Sequence, residues 1–334
     1  MKKSEISQYI GNQSQIGGTR HYVLEDGWAK GLRCIDVNSG SGLQYTVIPD
    51  RGMDISLAGY KGINLVYLTC NSETHPAFFD PAKFGWLRTF AGGLLTTCGL
   101  TYLGSPVNDE GEELGLHGRY SSIPAKQVAD LSEWIGDEYH IKLRGVIEEG
   151  HIFGHKLRLV REITTTAGRN TLKITDTITN FGFKPSPYTI LYHMNFGFPL
   201  LDENSQLDIS SDQTIARDAV ALSGLNDLKH FSKPQAGFSE QVFSHKMVAA
   251  DGNNATATLR NMKLGIAMTL KFDVIRLPYL IQWKMMGQGE YVLGLEPSNV
   301  PAKNRKQLRD ENLLPLLKAG ESIVNNIEIS LTDF

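Results

Sequence analysis

The stretch HKLRLVREITTTAGRNTLKITDTITN, residues 155–180, alternates apolar and polar side chains with a period of two on both sides of a turn. One face carries the apolar residues Leu157, Leu159, Ile163, Leu172, Ile174 and Ile178. The opposite face carries Lys156, Arg158, Glu162, Lys173, Thr175, Thr177 and Thr179. Because successive side chains of a strand point to opposite faces, this pattern predicts an antiparallel hairpin with one buried face, turning at residues 166–170.

The same alternation recurs along the chain, and clusters of Gly, Asn, Asp and Pro separate the runs. Further strands are predicted at residues 32–37, 44–48, 55–60, 188–194, 255–259, 266–272, 279–285, 291–295 and 327–331. Helical signals are few: Asp80-Pro81 predicts a short helix over residues 80–88, and a second is predicted over 303–314. Without a βαβ alternation, the sequence predicts an all-β fold of antiparallel sheets packed face to face, with a few short helices.

Composition excludes several classes of function. The 334 residues carry 33 Lys and Arg against 36 Asp and Glu, a net charge of −3. This balance argues against nucleic acid or an anionic membrane as the main partner, because both attract a basic excess. The three widely spaced cysteines, Cys34, Cys70 and Cys98, contain no CxxC pair and predict free thiols in a reducing compartment. With no apolar stretch typical of a signal peptide after Met1, we expect a cytoplasmic protein.

Motifs for nucleotide and hydrolase chemistry do not occur, since the sequence has no Walker loop, no GxGxxG behind a strand, no HExxH and no GxSxG. Three other segments place an ionisable side chain where an apolar run meets a turn: Gly115–Arg119 with His117, Leu191–Pro199 with His193, and Gly294–Asn299 with Glu296. Functional residues often occupy such positions on a rigid β scaffold. The alternative for each is a histidine or glutamate that only hydrogen-bonds neighbouring backbone.

Together the three segments resemble, in the same order, the motifs of the aldose 1-epimerases (galactose mutarotases). The segments Pro49–Asp54 and Trp86–Gly93 are similar to those of the aldose-1-epimerase-like branch, and the resemblance runs from about Arg33 to the C-terminus. It implies a β-supersandwich of the galactose mutarotase type that binds a monosaccharide. It also implies an isomerase that interconverts the α and β anomers of this sugar without a metal or cofactor.

The resemblance further implies a role for each matching residue. Glu296 would be the base that takes the proton of the C1 hydroxyl, and His193 the acid that protonates the ring oxygen. His117 would hydrogen-bond near the ring oxygen, and Arg88 would bind sugar hydroxyls. The remaining substrate-binding candidates lie in the segments that carry the resemblance: Arg51, Asp54, Arg119 and Gln282. For the substrate-binding aspartate of the family, residues 239–245 offer Glu240 or Gln241 instead.

Three alternatives stay open. The cations Arg51, Arg88, Arg119 and Lys284 would suit an acidic or phosphorylated sugar, unless they pair with Asp50, Asp54 or Glu296 or face water. A sugar-binding or sensor protein without turnover could use the same scaffold. His151 and His155 could bind a metal, but four residues along a strand span about 13 Å, too far for one ion unless the chain bends at Gly154.

The order of the three segments also bears on domain organisation. A division into two domains would separate His117 from Glu296, which must meet in one pocket. We therefore expect residues 1–334 to form a single carbohydrate-binding domain, with residues 1–30 as an N-terminal extension packing on it. Exposed strand edges are compatible with a homodimer.

Overall fold

The computed structural model describes residues 3–334; Met1 and Lys2, at the start of the predicted N-terminal extension, lie outside the described residues. Within residues 3–334 the strands are, in chain order, β1 (Gly18–Val23), β2 (Arg33–Asn38), β3 (Leu43–Ile48), β4 (Asp54–Tyr60), β5 (Ile63–Asn64), β6 (Thr96–Leu100), β7 (Val107–Asp109), β8 (Glu112–Leu114), β9 (Lys126–Asp130), β10 (Glu133–Ile135), β11 (Glu138–Gly150), β12 (Lys156–Thr166), β13 (Thr171–Asn180), β14 (Ser186–Pro187), β15 (Thr189–Phe196), β16 (Ser205–Ile209), β17 (Ser211–Ala216), β18 (Gln241–Met247), β19 (Asn254–Asn261), β20 (Ile266–Asp273), β21 (Tyr279–Met286), β22 (Tyr291–Ser298), β23 (Leu316–Leu317) and β24 (Ser322–Asp333).

Helices are short. The α-helices of the described chain are α1 (Lys3–Ile6), α2 (Ala219–Ser223) and α3 (Arg305–Asp310). Turns of 3-10 helix occur at Gln13–Gln15, Gly27–Ala29, Pro49–Arg51, Pro76–Phe78, Gly85–Arg88, Tyr120–Ser122 and Leu225–Asp227. None of the helices between residues 3 and 334 has the length and apolar character needed to cross a membrane.

The predicted hairpin is confirmed as β12 and β13, which pair antiparallel with Ile163 opposite Ile174 and Leu159 opposite Ile178. All six apolar residues of the predicted inner face are at most 1% exposed. This hairpin lies in a nine-stranded sheet with the order β10-β11-β12-β13-β24-β20-β19-β16, and β9 also pairs with β11.

A second layer faces this sheet. It consists of a five-stranded sheet, β1 to β5 in order, and a six-stranded sheet with the order β17-β18-β21-β22-β15-β6. A bridge between Ile55 and Leu95 connects these two sheets. Side chains of all three sheets form one buried apolar cluster, in which Val47, Ile163 and Leu295 represent the three sheets. The predicted all-β architecture of antiparallel sheets packed face to face is therefore confirmed.

The two predicted helices differ in outcome. Helix α3 confirms the second in a shorter form, with Asn304 and Gln307 forming a capping box. The α-helix predicted over residues 80–88 was wrong, since only Gly85–Arg88 forms a 3-10 turn. Its physical reason is local: the Asp80 side chain accepts a hydrogen bond from the Ala82 amide (3.0 Å), and Lys83 adopts a left-handed φ of 48°, which interrupts a right-handed helix.

A charged network that the sequence analysis did not single out lies between the layers. Arg161 is fully buried on the apolar face of the hairpin. It donates two hydrogen bonds to Asp176 (2.9 and 2.7 Å) and one to Asp54 (2.8 Å). Asp54 also accepts from the amide and hydroxyl of Thr97 in β6, and Asp176 accepts from the hydroxyl of Tyr192 in β15 (2.9 Å). The network thus fixes two neighbouring strands of the six-stranded sheet.

Candidate active site

Strand register brings the second and third sequence segments together. Strand β15 pairs with β22 so that Leu191 lies opposite Ser298 and Met194 opposite Leu295, which sets His193 across from Glu296. Met194 and Leu295 point into the core between the layers. Because side chains alternate along a strand, His193 and Glu296 point to the outer face of the six-stranded sheet. Their Nε2 and Oε1 atoms are 3.3 Å apart.

This pair is buried and has hydrogen-bonding capacity to spare. His193 is 5% exposed and Glu296 is 3% exposed. The Nδ1 atom of His193 and the Oε1 atom of Glu296 have no hydrogen-bond partner among residues 3–334, so the 3.3 Å contact is close but is not aligned as a hydrogen bond. Buried polar atoms are normally hydrogen-bonded, and unpaired ones in a protein interior often mark a functional site. The pair therefore has donors and acceptors available for a substrate.

His117 reaches the pair from the turn after β8. Its backbone has a left-handed φ of 59°, and its carbonyl accepts a hydrogen bond from the Gly99 amide of β6 (3.1 Å). The next residue, Gly118, packs so closely that a Cβ atom there would lie 2.4 Å from the Gly99 carbonyl oxygen. Only glycine permits this approach. The turn places the imidazole of His117 5.7 Å from that of His193, with the two rings perpendicular.

Three aromatic side chains enclose the histidines. Trp86 lies 4.8 Å from the His117 ring, and Phe90 and Trp283 lie 5.3 and 5.5 Å from the His193 ring. None of the three was predicted from the sequence as a site residue, although Trp86 and Phe90 lie in a segment that carries the family resemblance. Such rings supply apolar surface beside a few polar groups, which is the usual composition of a small-molecule site.

Burial controls the protonation of these groups. Burial, and then the negative charge of Glu240, raises the pKa of Glu296 well above its ordinary 4.5. Burial, and then His117, lowers the pKa of His193 from 6.5 to about 3, and burial lowers the pKa of His117 to about 4. Burial therefore favours the protonated carboxyl at Glu296 and keeps both imidazoles neutral.

Glu240 lies at the rim of this cluster. One of its carboxylate oxygens accepts a hydrogen bond from the indole nitrogen of Trp283 (2.9 Å), and the other accepts from Arg217 (2.9 Å). The other residue considered for this role, Gln241, directs its side chain to Gly224, where a Cβ atom would lie 2.3 Å from the amide oxygen. Glu240, and not Gln241, is thus next to the histidine and glutamate pair.

The structure does not bring the remaining substrate-binding candidates into contact with the pair. Gln282 points to the opposite face of β21, where it hydrogen-bonds His245 (3.0 Å) and the Leu228 carbonyl (2.7 Å). Asp54 belongs to the Arg161 network.

Three of the four cations considered for an anionic sugar are engaged elsewhere, and the fourth, Arg119, is exposed. Arg88, 76% exposed at its side chain, pairs with Asp80 (3.2 Å). Arg51 is buried and donates to the carbonyls of Thr74 (3.0 Å) and Thr89 (3.1 Å). Arg119 is exposed, and Lys284, on the same face of β21 as Gln282, donates to the Asp227 carbonyl (2.7 Å). Across residues 3–334, the ion-pair contact of Glu296 is with His193 and with no lysine or arginine.

The histidines considered for a metal do not lie along one strand. His151 and His155 flank the turn between β11 and β12, and the amide of His151 donates to the carbonyl of His155 (3.1 Å). The described part of the chain contains no group of three His, Cys, Asp or Glu side chains arranged to hold a metal ion.

Comparisons with known proteins bear on the fold of the chain. The model of a family described as "Domain of unknown function (DUF4432)" matches residues 29–331. The comparison with curated proteins finds no match. A solved structure from Klebsiella pneumoniae, named a "putative aldose 1-epimerase", is 27% identical, with a TM-score of 0.89 over 94% of this chain and 83% of its own.

Two more distant structures share the fold. A galactose mutarotase-like protein from Clostridium acetobutylicum is 15% identical, with a TM-score of 0.68 over 96% of this chain and all of its own. Galactose 1-epimerase from Lactobacillus acidophilus is 13% identical, with a TM-score of 0.62 over 94% of this chain and 98% of its own. These similarities confirm the galactose mutarotase-like supersandwich expected from the sequence.

Proposed function

The chain belongs to the family described as "Domain of unknown function (DUF4432)", and from this premise we propose that it is an aldose 1-epimerase-like isomerase. One carbohydrate-binding domain would bind a monosaccharide and interconvert its α and β anomers. The observation that carries the proposal is the His193–Glu296 pair, 3.3 Å apart on the outer sheet face and surrounded by aromatic rings. The name of the similar structure from Klebsiella pneumoniae, a "putative aldose 1-epimerase", supports the same proposal.

The reaction needs two proton-transferring groups. One donates to the ring oxygen as the bond between C1 and that oxygen breaks, and the other accepts the proton of the C1 hydroxyl. A protonated Glu296 beside a neutral His193 would supply one proton donor and one proton acceptor, as this exchange requires. Ring opening leaves an open-chain aldehyde, and closure on the other face of C1 returns both protons and gives the opposite anomer.

The protonation of the free pair sets the direction of the first step. Because burial favours the protonated carboxyl and the neutral imidazole, Glu296 would donate to the ring oxygen while His193 accepts from the C1 hydroxyl. This direction is the reverse of the one implied by the family resemblance. His117, whose Nδ1 is buried without a partner among residues 3–334, would hydrogen-bond the sugar beside them.

Charge at the site favours a neutral sugar. The charge that acts on Glu296 is that of another carboxylate, Glu240. Arg51 and Arg88 are occupied by backbone carbonyls and by Asp80. The cation on Glu240, Arg217, is shared with Asp218, so these three side chains keep one net negative charge and a neutral aldose should bind better than an anionic one.

Anomer exchange followed by polarimetry or exchange NMR over a panel of aldoses tests the proposal. We expect acceleration by the native protein and its loss in Glu296→Gln, which keeps the shape of the side chain. Glu290→Gln, an exposed carboxylate in the turn before β22, is the matched control and should keep the native rate. Sugar binding without acceleration would identify a binding or sensor protein instead. Full activity in Glu296→Gln would refute the role of Glu296.

A further inference from the structure

Glu240 contacts the site through another side chain rather than through the reacting pair itself. We propose that Glu240 is a positioning residue, which holds Trp283 against His193 and adds a fixed negative charge at the rim of the site. The inference rests on the proposed function for its catalytic consequence, but its structural and electrostatic parts concern the free protein.

The Glu240 carboxylate is fixed although it is half exposed. Both oxygens are engaged at 2.9 Å, one by the Trp283 indole nitrogen and one by Arg217. Arg217 is held in turn by Asp218 (2.9 Å), and Asp218 accepts from the Ala221 amide and so caps α2. Charge-assisted hydrogen bonds of this kind are stronger than neutral ones. The carboxylate therefore has one defined position relative to Trp283.

Trp283 connects the Glu240 carboxylate to the His193–Glu296 pair. It lies opposite Gly294 in the neighbouring strand β22. A Cβ atom at Gly294 would be 2.9 Å from the Cβ of Trp283 and 2.4 Å from Oε1 of Glu296, so both side chains lie over this glycine. The indole meets the His193 ring edge to face, at 5.5 Å and 78°. Without the bond to Glu240, the indole loses the polar contact that fixes its rotation.

The charge of Glu240 acts on a site that is otherwise neutral. The groups that face Glu296 are His193 from β15, His117 from the turn after β8, Cys98 from β6 and Glu240 from the segment before β18. Burial lowers the pKa of both histidines and raises that of the Cys98 thiol, so all three are uncharged near neutral pH. Glu240, Arg217 and Asp218 together carry one net negative charge, which disfavours a second carboxylate at Glu296.

Three variants separate the two effects. Glu240→Gln keeps an oxygen that can accept from Trp283 but removes the charge. Trp283→Phe keeps an aromatic ring beside His193 but removes the N–H donor, and Glu240→Ala removes both. Glu162→Gln, in a partly exposed ion pair of the nine-stranded sheet with Lys142, is the control.

The first measurement is a carboxyl NMR titration of the free protein, with the Glu296 signal assigned by its loss in Glu296→Gln. We expect Glu240→Gln to lower the pKa of Glu296 by at least about 0.3, a twofold change in its protonation equilibrium, and Trp283→Phe to leave it unchanged. An unchanged pKa in Glu240→Gln would overturn the electrostatic part. Because this titration needs no turnover, it remains decisive even if anomer exchange proves absent and the proposed function fails.

The second measurement is anomer exchange as a function of pH. The active form has a protonated Glu296, so the alkaline limb of kcat should move to lower pH in Glu240→Gln and stay in place in Trp283→Phe. Glu240→Ala and Trp283→Phe should each lower kcat, and combining them should cost no more than Glu240→Ala alone. If Glu240 contacts the sugar directly instead, its variants should raise KM and leave the alkaline limb of kcat in place. Their effects should then add to the effect of Trp283→Phe. That result would refute the positioning role.

Discussion

Replacing Gly294 by alanine tests whether the position of the Glu296 carboxyl determines the rate. The backbone at Gly294 is not in the left-handed region, so an alanine adds no backbone strain. Its Cβ would lie 2.4 Å from Oε1 of Glu296 and 2.9 Å from the Cβ of Trp283. An ordinary contact begins at 3.4 Å, so relief requires the carboxyl oxygen to move by 3.4 − 2.4 = 1.0 Å.

A displacement of this size should affect catalysis more than folding. A misplacement of about 1 Å can cost on the order of 100-fold in rate, or about 2.7 kcal/mol of transition-state stabilisation. The added methyl group should cost about 1–3 kcal/mol of unfolding free energy, as overpacking does elsewhere. We therefore expect kcat to fall on the order of 100-fold in a protein that still folds.

The assay is anomer exchange by NMR, with urea denaturation as the measure of folding. Gly150→Ala is the matched control, because its Cβ would meet nothing within 4 Å at the end of β11. Gly150→Ala should change neither the rate of anomer exchange nor the free energy of unfolding. A native rate in Gly294→Ala would refute the reasoning, since it would mean that the reaction does not depend on where the Glu296 carboxyl lies.

Three further predictions concern stability and specificity. Arg161→Leu leaves Asp54 and Asp176 buried without their cation and should cost about 3–5 kcal/mol of unfolding free energy. The control Glu162→Gln, on the same hairpin, should cost under about 1 kcal/mol. Equal losses of stability in urea denaturation would contradict this prediction. Burial lowers the pKa of His245 from 6.5 to about 4, so between these values the unfolded chain takes up a proton that the folded chain does not. The free energy of unfolding should thus fall by up to about 1.4 kcal/mol for each pH unit of acidification in this window, and His245→Gln should reduce that slope. Calorimetric titration should find tighter binding of a neutral aldose than of the matching uronic acid, and the opposite order would revive the anionic alternative.

Most of the architecture could be predicted from the sequence because period-two alternation is a local property. Residues 155–180 show which side chains face inward before any partner strand is known. The same pattern did not predict the burial of Arg161 and Asp176, two charged residues that occupy apolar positions of the hairpin. They are compatible with burial because they pair with each other and because residues of other strands complete their hydrogen bonds: Asp54 and Thr97 bind Arg161, and Tyr192 donates to Asp176. The helix expected at residues 80–88 was wrong because a side-chain hydrogen bond of Asp80 and the φ of Lys83 override the capping signal.

Within the candidate site, the limits of the sequence follow from register. Gln282 and Trp283 are neighbours in the chain, and nothing local indicates which of them faces Glu296. Pairing decides it: Ile281 lies opposite Glu296 and Trp283 opposite Gly294, so the tryptophan shares the outer face and the glutamine does not. A shift by one residue would exchange them.

The sequence by itself determined the all-β fold, the three segments with His117, His193 and Glu296, and a composition without a basic excess. Each of these depends on residue type, spacing or order along one stretch of chain. Only the tertiary structure decided that His193 and Glu296 approach to 3.3 Å, that Glu240 reaches the pair through Trp283, and that Arg51 and Arg88 are engaged elsewhere. These contacts depend on strand register, and desolvation depends on packing, so the raised pKa of Glu296 is also a property of the folded chain alone.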